Sequence, residues 1–140
     1  LKMRMDWKII RGLLEKFEDE SISDYLSTVG ALPDSVQLEN FDTRENLKSE
    51  AKAQEKLIFG HLLLCLDGEF VEGLQIKTGT NFDYSYGLCS PRLTLRGHEL
   101  LEKLKNRTVW EKVKSGAASL GVPLTVETIS AIATKVINDL

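Results

Sequence analysis

Long apolar runs are missing from this sequence of 140 residues, and histidine and cysteine, which metal sites draw on, number only two each. The longest clean apolar stretch is "LLLCL", bracketed by His61 and Asp67. It falls far short of the roughly 18 residues of a membrane-crossing helix, so no membrane partner is expected. The opening "LKMRMDWKII" is charged from its second residue and has neither an apolar leader core nor a small-residue cleavage site, which predicts a cytoplasmic protein. Leu1, where Met is the usual first residue, carries no structural meaning in this reading. Cysteine is scarce as well: Cys65 and Cys89 are the whole supply, and without a secretory leader they read as reduced thiols rather than a disulfide. No Gly-rich phosphate loop is present, because "TGTN" and "GLCS" lack both the spacing and the Lys of a P-loop.

What remains describes an ordinary globular protein, with 42% apolar and 28% charged residues and a length that supports one core without staples. A single domain over residues 1–140 is expected. Trp7, Ile10, Leu14 and Phe17 recur at helical spacing, with Ile9 and Leu13 widening the stripe, and predict an amphipathic helix over about 5–19. Residues 21–55 read as a divergent connection. In it Ser21 or Ser23 could cap a short helix through "DYLSTV", Gly30 closes it, and "LPDS" forms a turn. Asp42 and Glu45 have the spacing of a capping box ahead of a long helix over about 43–66, whose second half, "LIFGHLLLCL", is apolar nearly all round. That half is expected to be the central core helix, covered on most sides.

After Asp67-Gly68, "FVEGLQIK" and "FDYSYGLCSPRL" read as two strands around the turn "TGTN". Pro91 cannot donate to a ladder, so the second strand is expected to be an edge strand or bulged there. Residues 94–140 read as C-terminal helices. Thr94 caps the first, Thr108 with Glu111 forms a capping box for the second, and Thr125 starts the last, with Leu124 and Ile129 as a hydrophobic staple. Helices, a hairpin directly after a core helix, then more helices predict an α+β fold: a winged helix-turn-helix-like core with a two-stranded wing and a helical C-terminal extension.

The run "RLTLRGHELLEKLKNRTVWEKVK" resembles the signature region of a phage- and prophage-associated bacterial family known as domain of unknown function 2513. "MDWKIIRGLLEKFE", His61-Leu62 followed by "FVEG", and "SLGVPLTVETISAIATKVI" add to the likeness, which covers roughly 3–19 and 56–139. The resemblance implies a winged-helix-like fold and a mobile-element context, and it implies no biochemical activity.

His61, Cys65, Cys89 and His98 are all of the chain's histidines and cysteines, and His61 and Cys65 lie one helical turn apart. A zinc site would want a close Cys-x-x-Cys pair, which is absent, and Cys65 is explained as a small core residue. No nucleophile stands beside a base, and no carboxylate dyad flanks His98, so the expectation is a non-enzymatic protein without metal or cofactor.

Charge is more informative. Residues 92–114 hold seven bases and three acids, a local +4 against −7 in the remainder. Arg44, Lys48, Lys52 and Lys56 recur every four residues along the long helix, forming a basic stripe that drifts by about 40° per step. In a winged helix the helix before the wing enters the major groove. Arg44, Lys48, Lys52 and Gln54, wing residues Lys77, Thr80 and Asn81, and Arg92 and Arg96 are therefore candidate contacts to double-stranded DNA. Glu45, Glu50 and Glu55 alternate with those bases, and i to i+4 pairing on a solvated helix accounts for the same pattern. An isoelectric point near 5.5 lacks the general basic footprint of many DNA binders. The competing class is a protein-interaction adaptor, with a homodimer through terminal helices as one form. Against it, the apolar face of the last helix could simply pack on the first. Trp7 and Trp110 are expected to anchor that junction, and an exposed Trp110 would be a docking hot spot.

Overall fold

The computed structural model describes residues 3–139. Its first helix, α1 (Trp7–Glu18), begins where the Asp6 carboxylate accepts from the Lys8 N–H, and it buries Ile10, Leu13, Leu14 and Phe17. A short α2 (Ile22–Leu26) follows, then a 3-10 turn over Asp34–Leu38 that buries Val36. The long helix α3 (Phe41–Asp67) leads into an antiparallel hairpin of β1 (Val71–Thr78) and β2 (Tyr84–Leu93). Helices α4 (Leu95–Lys105), α5 (Arg107–Leu120) and α6 (Val126–Asn138) complete the chain. Among the described residues the protein is therefore a mixed α+β fold of six α-helices and a two-stranded antiparallel sheet.

The hairpin register runs from Thr78↔Tyr84 to Leu74↔Leu88, breaks, and resumes at Glu72↔Arg92 and Val71↔Leu93. Gly73 alone thus faces Cys89, Ser90 and Pro91, so the second strand bulges at its proline as expected. Gly73 takes a positive φ of 81° there, and a side chain on it would collide with the Cys89 and Ser90 carbonyls.

The hub of the core is α1, which contacts α2, α3, α4 and β2. On α3 only Ile58, Phe59, His61, Leu62 and Cys65 are buried, while Leu63, Leu64 and Leu66 are half-buried and Leu57 is 38% exposed. The second half is thus covered on most sides, as expected: from 57 to 66 only Leu57 is exposed. The base of the hairpin is fixed to the rest by α4. Thr94 caps α4 by accepting from Gly97 N–H, and its own N–H and hydroxyl donate to the Phe70 and Glu69 carbonyls. Gly97 sits so close to the Phe70 carbonyl that no Cβ fits between them.

Two helix starts also differ from the expected ones. α3 is capped by Asn40, whose side chain accepts from Thr43 N–H, and α5 by Asn106, which accepts from Val109 N–H. Each helix thus begins two residues earlier than the Asp42 and Thr108 boxes predict, because an asparagine just upstream reaches the first-turn donors first. The α6 cap at Thr125 is as expected, with the hydroxyl accepting from Thr128 N–H. The apolar face of α6, with Ile129 and Ala133 fully buried, packs on α5 and α4 rather than chiefly on α1, leaving Ile137 51% exposed.

Candidate nucleic-acid interface

The outer half of α3 and the hairpin tip are held side by side. Phe59 stacks on Tyr84 at 5.2 Å between ring centroids and lies 5.7 Å from Tyr86. Two turns further out, Lys52 forms an ion pair with Asp83, next to the tip. The hairpin therefore runs along α3 toward its N-terminus, and Lys48, one turn beyond Lys52, comes to the same end as Lys77, Thr80 and Asn81. All four are exposed.

Three other candidates, Gln54, Arg92 and Arg96, are engaged by partners within the molecule. Gln54 accepts from the Gly30 N–H at 3.0 Å, tying the α2–α3 connection to the long helix. Arg44 is half-buried, and its Nε is buried with no hydrogen-bond partner among the described residues. Lys48 lies 3.7 Å from Glu45, an exposed pair of the kind that contributes little. Arg92 pairs with its cross-strand partner Glu72 and donates to the Leu93 carbonyl at 3.2 Å. Arg96 donates to the Gly68 carbonyl at 3.1 Å and lies 5.5 Å from the Phe70 ring centre. These last two sit at the base of the hairpin. Glu72 is five residues from Lys77 along β1, about 17 Å at strand rise, so they do not share the tip surface.

Two partners escaped sequence reasoning, Asp83 and Glu72. The Glu72–Arg92 pair had a signal, since opposite charges across a hairpin are expected neighbours once the register is known. Asp83 opposite Lys52 had none, because nothing local relates a helix to a turn 31 residues away.

The histidines and cysteines are dispersed in role. His61 is fully buried: its Nε2 accepts from the Asp6 N–H at 2.9 Å and its Nδ1 donates to the Leu57 carbonyl at 2.8 Å. The Nε2 bond holds the start of α1 against α3, while the Nδ1 bond, made within α3, fixes the ring as the Nδ1–H tautomer. Cys65 is buried, and burial pushes its thiol up to about 12, whereas Cys89 is exposed on the bulge. His98 is exposed and makes no side-chain hydrogen bond among the described residues. No group of three or more His, Cys, Asp or Glu among the described residues could hold a metal ion. Trp7 donates from Nε1 to the Leu124 carbonyl at 3.0 Å, bridging α1 to the α5–α6 connection, and Trp110 is half-buried beside it.

No described helix is long and apolar enough to cross a membrane. The class these features define is a small mixed α+β protein whose hairpin is fastened along its longest helix. Its family follows from comparison: the model described as hypothetical protein DUF2513 matches residues 4–123, and the chain belongs to that family. The match spans the 21–55 segment, where little likeness was expected, and stops before α6. The chain is also similar to an uncharacterized protein of Haemophilus influenzae, 27% identical over 138 residues, which cover 99% of this chain and 98% of that protein. No solved structure matches.

Proposed function

We propose that this protein is a non-enzymatic winged-helix module that binds double-stranded DNA in a regulatory role, without a cofactor. The observation that carries the reading is the fastening of the hairpin to α3 through Phe59 and the Lys52–Asp83 ion pair. It sets an exposed helix end and an exposed hairpin tip on one surface, the arrangement in which a helix enters the major groove and a wing follows the backbone. Lys48 and Lys77 are the phosphate contacts of this face, and Thr80 and Asn81 supply neutral donors beside them.

Fluorescence anisotropy of the full chain against labelled duplex, repeated across a salt series, tests the reading. Binding that weakens steeply with salt and is reduced by Lys48→Glu and Lys77→Glu is the expected result. Absence of binding at low salt refutes it.

A second reading, a protein-binding adaptor, is favoured by one observation. Leu38 and Phe41, on either side of the Asn40 cap, are 88% and 65% exposed. Loss of a captured protein partner on Leu38→Ser and Phe41→Ser, with no DNA binding in the parent chain, is the outcome that selects it.

A further inference from the structure

Residues 31–43 lead into α3 with large apolar side chains in solvent and charge of one sign. Leu32, Leu38 and Phe41 are exposed, and so are Asp34, Glu39 and Asp42, while the segment contains no base. We propose that this surface docks a basic amphipathic segment of another protein, with apolar side chains seated on Leu38 and Phe41 and lysines or arginines facing the three carboxylates. This partner chemistry rests on the adaptor reading of the Leu38–Phe41 surface.

The exposure does not come from a frayed end. Val36 is buried and anchors the 3-10 turn, which packs on α3. The Glu39 N–H donates to the Val36 carbonyl at 3.2 Å, and Asn40 closes the start of α3 by accepting from Thr43 N–H with its side chain and from Arg44 N–H with its carbonyl. Leu38 and Phe41 therefore project from a backbone that is already hydrogen-bonded, and a partner need not order it on binding. Two large apolar side chains so placed give the buried centre of an interface, and the acids give its polar rim.

Charge selects the occupant. Asp34, Glu39 and Asp42 have no ion-pair partner among the described residues, and Lys48, the nearest exposed base along α3, already lies beside Glu45. A second copy of this chain, set on the surface about a two-fold axis, would bring carboxylates against carboxylates. A nucleic acid or an anionic lipid surface would meet the same repulsion. A basic segment meets attraction instead, which speeds its approach and discriminates against acidic partners.

The probe is a fluorescently labelled amphipathic peptide of leucine and lysine about four helical turns long, titrated with the full chain by anisotropy across a salt series. Two controls keep its pattern: one replaces lysine by glutamate, the other leucine by serine. Saturable binding of the leucine–lysine peptide that weakens with salt is expected, with both controls about tenfold weaker or more. Leu38→Ser with Phe41→Ser should weaken it about tenfold. Glu39→Gln with Asp42→Asn should weaken it and flatten the salt dependence, while Glu127→Gln, at an exposed acid of α6, leaves it unchanged. Circular dichroism establishes that each variant is folded. No binding at about 100 µM, or a serine–lysine peptide that binds as tightly, overturns the proposal. Binding of the leucine–glutamate peptide that is lost in Leu38→Ser with Phe41→Ser also overturns it, yet leaves the adaptor reading standing. Binding that neither pair of substitutions moves overturns both.

Discussion

Replacing His61 by alanine removes a fully buried imidazole that joins two helices at once. The cost has two parts. Deleting the ring leaves a void between α1 and α3, and large-to-small core truncations of this kind cost about 2–3 kcal/mol. The Asp6 N–H also loses its acceptor; because Asp6 is exposed and water can reach it, the low end of the penalty applies, about 1 kcal/mol. A total of about 3–4 kcal/mol is a large share of the roughly 5–15 kcal/mol that holds a domain together. For a chain of this length it should lower Tm by about 10 °C. Urea unfolding followed by tryptophan fluorescence and circular dichroism measures it. His61→Phe separates the two parts, since it refills the site but supplies no hydrogen bond, and should recover part of the loss. A change below about 0.5 kcal/mol for His61→Ala, the size of a surface substitution, would refute the role assigned to the ring.

The thiols should differ in reactivity: at neutral pH a thiol reagent titrates Cys89 in the native protein and reaches Cys65 only after denaturation, and equal native rates would contradict the burial. Burial also gives Cys65 an alkaline signature. Its folded thiol ionises near 12 while the unfolded one ionises near 9, so its contribution is intact below pH 9 and is lost as pH rises toward 12. The alkaline loss of stability should be smaller in Cys65→Val, and an identical slope in both proteins would count against this. Gly97→Ala forces a methyl against the Phe70 carbonyl and should cost about 1–3 kcal/mol by chemical denaturation, a value that an unchanged midpoint would contradict.

Local rules carried the sequence reading where the deciding group sits next to the element it decides. Thr94 and Thr125 cap the helices they precede, and Pro91 marks the bulge. The same rules misplaced two helix starts because two caps competed: Asn40 and Asn106 lie just upstream of the Asp42 and Thr108 boxes and take the first-turn donors. Contacts across the fold left no such trace. His61 meets Asp6 across 55 residues and Gln54 meets Gly30 across 24, and neither pair has a pattern that a linear reading can find. The face of α6 shows the same limit. Its periodicity says that Ile129 and Ala133 are buried, but only the three-dimensional arrangement says that α5 and α4 cover them. For the proposed interface, the basic stripe on α3 was legible. That Lys52 is committed to Asp83, while Lys48 stands free of the hairpin, was not.

The central claim is that the outer half of α3 and the hairpin tip form one duplex-binding face. Backbone amide shifts of the isotope-labelled protein, recorded as duplex DNA is added, test it most directly. Perturbations concentrated at residues 44–56 and 77–83 are the predicted result. A map centred on α6 or on the exposed Leu38–Phe41 surface, or no perturbation at all, would contradict it.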